Sequence, residues 1–196
     1  MPAPTYSAGT AVLSAVNLTH GQNSAALIDL SNVIQGMVWC QMETGASNAP
    51  TTGTTFSLRR VIGATASGNT TLSSGASAAA TSISVGSTTN IQKGTSLAIV
   101  SASTKAGEVV VVSAISGTTL TISALENAYS SGALVFIIED TASGGVVTPG
   151  TSWTTNASYS TTLYPPIGVW ALQALNGDAT YAVTVTVLTD TVPTIQ

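Results

Sequence analysis

Apolar side chains recur at every second position over residues 180–188, and this alternation constrains the fold more than any other feature of the chain. On one side of an extended backbone the sequence places Tyr181, Val183, Val185 and Val187. The other side is mostly threonine. A period of two is typical of a β-strand that buries one face, whereas an amphipathic helix repeats about every 3.6 residues. The stretch therefore predicts a strand with one face in the core.

Further segments carry the residue types of β structure. Valine, isoleucine and threonine are plentiful, whereas leucine, glutamate, lysine and arginine, which favour helices, are sparse. Clusters of Gly, Pro, Asn and Ser separate the segments, as turns do. Outside the middle of the chain, strands are predicted at residues 11–18, 25–30, 36–43, 54–62, 158–163 and 169–175. The sequence thus predicts an all-β protein.

The middle of the chain has a different texture. A run rich in Gly, Ser, Thr and Ala opens it, and short apolar segments follow at residues 82–85, 96–100, 108–115, 118–122 and 133–138. Ser116 and Gly117 form a hairpin signal, since glycine takes positive φ at little cost. We therefore expect residues 66–142 to form a small five-stranded β-barrel domain, inserted into a β-sandwich of residues 1–65 and 143–196. The sequence does not decide whether the sandwich is a plain one or a jelly roll. We expect that a short Gly-Ser bridge can replace the insert.

Charged residues make up only 6% of the chain, with a net charge of −4. The basic residues are Lys93, Lys105, Arg59 and Arg60. They are too few to neutralise a run of phosphates, so we expect no nucleic-acid partner. The longest aliphatic runs, at residues 109–112 and 134–138, are far shorter than the roughly 20 residues of a membrane-spanning helix, so we expect no membrane partner. A freely diffusing domain usually carries more surface charge, so this chain is either built into an assembly or kept at low concentration.

The chain holds few of the side chains that usually serve in catalysis. The chain holds one histidine, His20, and one cysteine, Cys40, and it lacks the nucleophile-elbow, phosphate-loop, zinc-protease and paired-cysteine motifs. Two widely separated ligands do not make a structural zinc site. Glu139 and Asp140 are adjacent and would face opposite sides of a strand, which makes them a poor acid–base pair for glycoside hydrolysis. We expect no catalytic residues, no metal site and no cofactor.

The predicted strand around Trp39 is apolar on both faces. Met37 and Trp39 alternate there with Val38, Cys40 and Met42. Either a loop covers the second face or that face meets another subunit, since Trp and Met are enriched at interfaces. We assign Met37 and Trp39 as candidate subunit-interface residues, and we expect Cys40 to be a small buried hydrophobe.

Arg59 and Arg60 are consecutive, so one of them shares the face of Phe56 and Leu58 on the predicted strand. If this strand forms a hairpin with the strand before it, Arg60 lies near Met37 and no carboxylate is close. Either an edge arginine extends to water, or it forms a charge pair across a subunit contact. We include both arginines among the candidate subunit-interface residues.

Aromatic residues cluster around a double proline. They are Trp153, Tyr159, Tyr164 and Trp170. Such a cluster can stack on sugars, which leaves a glycan-binding module open. Trp170 falls inside a predicted strand and Tyr164 beside the prolines, as is usual for the core and rim of a sandwich. We therefore expect core packing rather than sugar binding.

The insert resembles small β modules of structural proteins in tailed-bacteriophage virions, through the segments ATSISVGSTTNIQKGTSLAIV, EVVVVSAISGTTLTIS and NAYSSGALV. The flanks resemble the β-sandwich of phage capsid-decoration or head-fibre proteins, through NSAALIDLSNVIQGMVWCQME and YAVTVTVLTD. The resemblance rests on hydrophobic spacing and turns, and it brings no functional residues with it.

The resemblance implies a non-enzymatic structural protein of the virion, either a capsid decoration or cement protein or the base of a head fibre. A tail, neck or fibre component and a glycan-binding β-sandwich module are the alternatives. The implied partners are the major capsid protein or other virion proteins, and further copies of the chain in a homo-oligomer, with a trimer favoured. The implied location is the capsid exterior, after synthesis in the cytoplasm of the host bacterium.

Overall fold

The computed structural model describes residues 10–19, 21–31, 33–45, 50–63, 67–140, 154–155, 157–163 and 168–193. Within these ranges the chain forms thirteen β-strands and no helix. Accordingly, no helix in the described ranges is long and apolar enough to cross a membrane. The all-β class predicted from the alternation is confirmed.

In chain order the strands are β1 Thr10–Leu18, β2 Asn23–Asp29, β3 Val33–Thr44, β4 Thr54–Arg60, β5 Thr70–Thr71, β6 Ser82–Ser84, β7 Ser96–Val100, β8 Ala106–Ser116, β9 Thr119–Ile122, β10 Leu134–Ile138, β11 Ala157–Leu163, β12 Val169–Asn176 and β13 Val183–Pro193. Every predicted strand overlaps one of these. β5 has no counterpart in the prediction, because it lies in a Gly-, Ser- and Thr-rich run without alternating apolar residues.

The strands pair in antiparallel fashion and form two sheets. The smaller sheet has the order β1-β13-β3-β11. The larger sheet follows the order β4-β12-β2-β8-β7-β10-β5, and it also contains β9, which pairs with β8, and β6, which pairs with β9. None of the strands β1 to β4 pairs with another of these four; each pairs with β8 or a later strand.

A first apolar cluster lies between the two sheets. β13 contributes Val183, Val185 and Val187, and the register places Val187 opposite Cys40 of β3. Tyr181 precedes β13 and is half-buried. One-faced burial of the alternating valines is therefore confirmed, and the two sheets form a sandwich.

The strands β5 to β10 occupy the segment predicted to be a five-stranded barrel, and the structure refines that prediction in two respects. Six strands are present, and the described residues form no closed barrel. β8 pairs with β2 and β7 through its first part and with β9 through its second part, so the segment continues the larger sheet. Between β5 and β6 lies an isolated bridge, Leu72 to Val85, rather than a ladder. The predicted hairpin between β8 and β9 is confirmed, with Gly117 at a φ of 59°.

A third apolar cluster joins this segment to the rest of the larger sheet. It includes Ala25 of β2 and Ala171 of β12 together with Val100 of β7 and Phe136 of β10. A second apolar cluster lies inside the segment and includes Leu97 and Ile99 of β7 and Val135 and Ile137 of β10. Every residue of β7 and β10 is buried, because the apolar side chains of these strands alternate between the second and the third cluster. The segment is thus packed against the parent strands. The domain division at residues 66–142 stays a prediction.

The chain leaves and re-enters the parent strands at neighbouring points. Val61 forms a bridge with Ile138, and the amide of Ile62 donates a hydrogen bond to the carbonyl of Ile137 at 2.8 Å. The amide of Glu139 donates to the carbonyl at the end of β4 at 3.0 Å. An inserted segment needs entry and exit points that are close in this way.

One carboxylate holds the turn that follows β12. Oδ1 of Asp178 accepts hydrogen bonds from the amides of Thr180 and Tyr181, both at 2.8 Å. Oδ2 accepts them from the amides of Thr51 and Thr52, at 2.7 and 3.1 Å. These bonds, that of Tyr181 foremost, hold the pKa of Asp178 well below its usual range. Asp178 therefore ties this turn to the segment that enters β4.

Candidate functional site

A buried carboxylate marks the place where β2 and β8 meet the segment that follows β9. Glu108, the third residue of β8, is fully buried. Its carboxylate accepts hydrogen bonds from the backbone amides of Glu126 at 2.8 Å and Asn127 at 3.0 Å, and from the hydroxyl of Tyr129 at 3.0 Å. A buried carboxylate needs such donors, because an unpaired charge in the interior is strongly unfavourable.

Tyr129 stays protonated beside this carboxylate. Burial raises the pKa of the Tyr129 hydroxyl well above its usual value, and the charge of Glu108 and the hydrogen bond to it raise it further. The hydroxyl therefore stays protonated at neutral pH and donates to Glu108. Glu108 and Tyr129 together fix the segment after β9 against β8.

A second carboxylate, that of Glu126, belongs to the same network and is half-buried. The amide of Asn23, the first residue of β2, donates to both of its oxygens at 2.8 and 2.9 Å, and Asn23 Nδ2 donates to Oε1 at 3.0 Å. Asn23 Oδ1 in turn accepts a hydrogen bond from the amide of Val109 at 2.8 Å. Burial raises the pKa of Glu126, the bonds from Asn23 oppose the rise, and the negative charge of Glu108 adds to it.

Glu126 and Asn23 border a cleft of about 710 Å³ between the first two strands and the segments around residues 101–107 and 126–133. Its polar lining includes Asn17, Gln22, Ser24, Ser103, Asn127 and Ser130. Among the residues that line it, Glu126 is the one with a formal charge, and there is no lysine, arginine or histidine. The cleft offers hydroxyl, amide and carboxylate groups to a ligand.

The two carboxylates do not form a metal centre with a third ligand. In the part of the chain that the structure describes, no group of three or more His, Cys, Asp or Glu residues could hold a metal ion. Glu108 and Glu126 are occupied instead by backbone and side-chain donors.

β3 lies inside the smaller sheet, between β13 and β11. Val38, Cys40 and Met42 belong to the first apolar cluster. Met37 and Trp39 lie on the opposite face and are half-buried. Burial raises the pKa of the Cys40 thiol to about 12, so the thiol stays protonated. The assignment of Met37 and Trp39 to a subunit contact stays a prediction.

Arg59 and Arg60 lie on β4, the first strand in the order of the larger sheet. The hairpin of residues 36–43 with 54–62, on which the expected place of Arg60 depends, does not form, because β4 pairs with β12 and β3 belongs to the smaller sheet. Consecutive strands of a sandwich often change sheet in this way. Arg60 lies opposite Trp170 and is exposed. The four candidate interface residues are thus divided between two sheets, and their role at an interface stays a prediction.

Arg59 has an intrachain partner that the sequence did not indicate. Its Nη1 donates a hydrogen bond to the backbone carbonyl of Asp140 at 3.2 Å. Burial lowers the pKa of Arg59, and the negative charge of Asp140 opposes this. The contact forms because the chain returns past the end of β4 at Glu139, next to Asp140. This partner does not require a second subunit.

The aromatic cluster is described only in part. His20, Trp153 and Tyr164 lie outside the described residues. The backbone of Tyr159 in β11 pairs with Cys40 of β3. Trp170 is half-buried and packs against the first apolar cluster, as expected for a residue of the sandwich core.

No family model matches the chain, and no curated protein matches it in sequence. Among solved structures, the chain is similar to that of infectious bursal disease virus Gt strain, with 11% identity over 98% of this chain and 41% of that chain and a TM-score of 0.18. It is also similar to VP17, a capsid protein of bacteriophage P23-77, with 8% identity over 95% of this chain and 91% of that chain and a TM-score of 0.16. The chain spans about two fifths of the length of the bursal disease virus chain. TM-scores this low support no conclusion about fold or function.

Glu108, Glu126 and Asn23 were not predicted as a site. One signal was available for Glu108, which directly precedes a run of four valines in a predicted strand, since a charge in a buried strand requires partners. Glu126 and Asn23 lie in polar surroundings and match no motif, so only the tertiary structure brings them to Glu108.

Proposed function

We propose that this chain is a non-enzymatic structural protein of a virion, which decorates or cements a capsid or forms the base of a head fibre. The observation that carries the proposal is the outer face of the smaller sheet, where Met37 and Trp39 are half-buried on the side away from the core. A large aromatic and a methionine on such a face suit a contact between subunits. With 6% charged residues, the chain is also better suited to an assembly than to free diffusion.

The outer face has an apolar centre with hydroxyl groups beside it. Trp39 lies opposite Leu188 of β13 and opposite Ser160 of β11, and Met37 lies opposite Asp190 of β13. Residues opposite each other in an antiparallel pair share a face. We assign this face to a contact with a second copy of the chain, because Trp39 and Leu188 give it an apolar centre that a symmetric contact would cover, with Asp190 to one side. The resemblance of the segments favours a trimer.

In this proposal the oligomer binds the major capsid protein, or another virion protein, from the outside of the shell. Hydroxyl-rich strands provide directed hydrogen bonds for such a contact, and exposed strand edges are tolerated when assembly covers them. A tail, neck or fibre component is the alternative within the same class. The proposal assigns no catalytic turnover and no cofactor to the chain.

The oligomeric contact is tested by sedimentation equilibrium of the purified chain at micromolar concentration. We expect an oligomer, and we expect Trp39→Glu to convert it to a monomer while circular dichroism shows the same strand content. Val111→Glu is the matched control, because Val111 is an exposed apolar residue of the larger sheet. A wild-type chain that is monomeric, and that also fails to assemble on capsids, contradicts the proposal.

The location is tested by mass spectrometry of purified particles that have been separated into heads and tails. We expect the chain in the head fraction. Its presence in tails alone supports the alternative within the class, and its absence from both fractions overturns the virion role.

A further inference from the structure

We propose that the cleft beside Glu126 binds a short neutral oligosaccharide, with Glu126 as the acceptor for a sugar hydroxyl. This goes beyond the proposed structural role, since it concerns a different surface from the outer face of the smaller sheet. It also rests on other residues than the aromatic cluster around the double proline, because the described lining comes from residues 16–18, 22–24, 101–103, 106–107 and 126–133.

The size and the lining of the cleft indicate the ligand class. A volume of about 710 Å³ lies within the range of about 300–1,000 Å³ that is typical of small-molecule sites. Hydroxyl and amide side chains, such as Ser24, Ser103 and Asn127, both donate and accept hydrogen bonds. Sugar hydroxyls require that combination. Among the described residues no cationic side chain lines the cleft, so these residues offer no counter-charge to a phosphate or carboxylate ligand.

Glu126 is already oriented for this role. A carboxylate has about four lone-pair positions, and the donors of Asn23 occupy two on Oε1 and one on Oε2. One position on Oε2 therefore remains for a ligand. The amide of Glu126 is bonded to Glu108, so backbone and side chain are both held before a ligand arrives. Hydrogen bonds to a charged acceptor are stronger than those between neutral groups.

Apolar groups line the same cleft and suit the ring faces of a sugar. They include Leu18, Ala106, Tyr129 and Ala133. The ring of Tyr129 cannot turn away, because its hydroxyl is bonded to Glu108 at 3.0 Å. An apolar lining with a few fixed polar groups is the usual composition of a ligand site.

A cationic ligand is the competing occupant, because two carboxylates lie in the network. The observations favour the neutral ligand. The Glu108 carboxylate accepts hydrogen bonds from the amides of Glu126 and Asn127, the side chain of Asn127 and the hydroxyl of Tyr129. Glu126 is thus the one charged residue in the described lining, among many uncharged polar side chains.

The test is isothermal titration calorimetry of the full chain with maltotriose, cellotriose and chitotriose, preceded by a screen on a printed array of neutral oligosaccharides. Sialyllactose serves as the anionic probe and spermidine as the cationic probe. We expect saturable binding of at least one neutral oligosaccharide and none of the two charged probes.

Two pairs of variants locate the site. Ala128→Trp fills the cleft from an exposed position and should abolish binding, whereas Ala114→Trp, at an exposed position on β8 outside the cleft, should leave it unchanged. Glu126→Gln should weaken binding about tenfold, the effect of one hydrogen bond to a charged group, whereas Glu43→Gln should not.

Three outcomes overturn the proposal: no neutral oligosaccharide binds, Ala128→Trp binds as the wild type does, or spermidine binds in the cleft and the neutral sugars do not. Circular dichroism of each variant confirms that it is folded, so that a loss of binding is not a loss of structure. Sedimentation of Ala128→Trp separates this test from that of the oligomer, since the variant should assemble normally.

Discussion

The backbone amide of Glu126 donates a hydrogen bond of 2.8 Å to the carboxylate of Glu108, so two acidic residues are joined in one network rather than held apart. The bond fixes the segment after β9 against β8, which is part of the same sheet as β2. The network therefore connects the insert to the parent strands through polar groups, beside the third apolar cluster.

Glu108→Ala should lower the free energy of unfolding by about 3 kcal/mol, because it leaves two partly buried amides and the buried Tyr129 hydroxyl without their acceptor. Urea denaturation followed by tryptophan fluorescence measures the change. Glu43→Ala is the control, since Glu43 is exposed, and it should change stability little. Equal effects of the two substitutions would show that the network contributes nothing to stability.

Glu126 should make stability fall as pH rises above the ordinary range of a glutamate. Its pKa is raised in the folded state, mainly by burial, so the folded chain holds this proton more tightly than the unfolded chain. The contribution is fully present below the unfolded pKa, about 4.3, and is lost as pH rises through the folded pKa. Denaturation midpoints of the wild type and Glu126→Gln between pH 4 and 8 test this. If the difference between them is constant over that range, the prediction is wrong.

Asp178 should have the opposite pH dependence. Its pKa is lowered by backbone donors, that of Tyr181 foremost, so its contribution is present above the unfolded pKa, about 3.9, and is lost as pH falls toward the lower folded pKa. Asp178→Asn should weaken the turn at neutral pH and make acid unfolding less steep. Asp29→Asn is the control, at an exposed position. An acid-unfolding curve of Asp178→Asn that superimposes on that of the wild type contradicts this.

Gly107→Ala should destabilise the chain by more than about 3 kcal/mol or prevent folding. Gly107 lies between Ala25 of β2 and Val100 of β7, and a Cβ atom there would overlap the carbonyl of Ile99. The backbone is paired on both sides and cannot move away. Gly86→Ala is the matched control, because its Cβ would meet only ordinary contacts, with Thr70 Oγ1 at 3.5 Å. Thermal unfolding that gives similar midpoints for both variants would refute the argument.

Replacing residues 66–142 with a short Gly-Ser bridge should produce an aggregating chain, although the sequence alone suggests that the parent strands would survive. Removal of the insert uncovers Ala25, Val169 and Ala171 of the third cluster, and it leaves β2 without β8 as a neighbour. Exposed apolar patches and strand edges promote aggregation. Dye binding and size-exclusion chromatography measure the effect. A soluble, cooperatively unfolding product would show that the parent needs no cover on that face.

The sequence predicted most strands because their side chains alternate, as in β13, or because a glycine marks a turn, as Gly117 does. It did not determine the partner of β4, since a hairpin with the preceding strand and a crossing to the other sheet have the same local pattern. It missed the contact of Arg59 with Asp140 and the pairing of Glu126 with Asn23, which join residues far apart in the chain and depend on the strand order. Local secondary-structure propensities do not determine the strand order.

The strand order also sets when the chain can fold during its synthesis. The first four strands have no partners among themselves, so a nascent chain of about sixty residues has no sheet to form. β2 acquires one neighbour when β8 is made, and β1 has no partner until β13, the last of the described strands, is made. Folds dominated by such distant pairings form slowly and leave unpaired strands exposed while they wait. We expect ribosome-bound chains that stop before β12 to lack the sandwich altogether, and chains that extend well beyond β13 to form it.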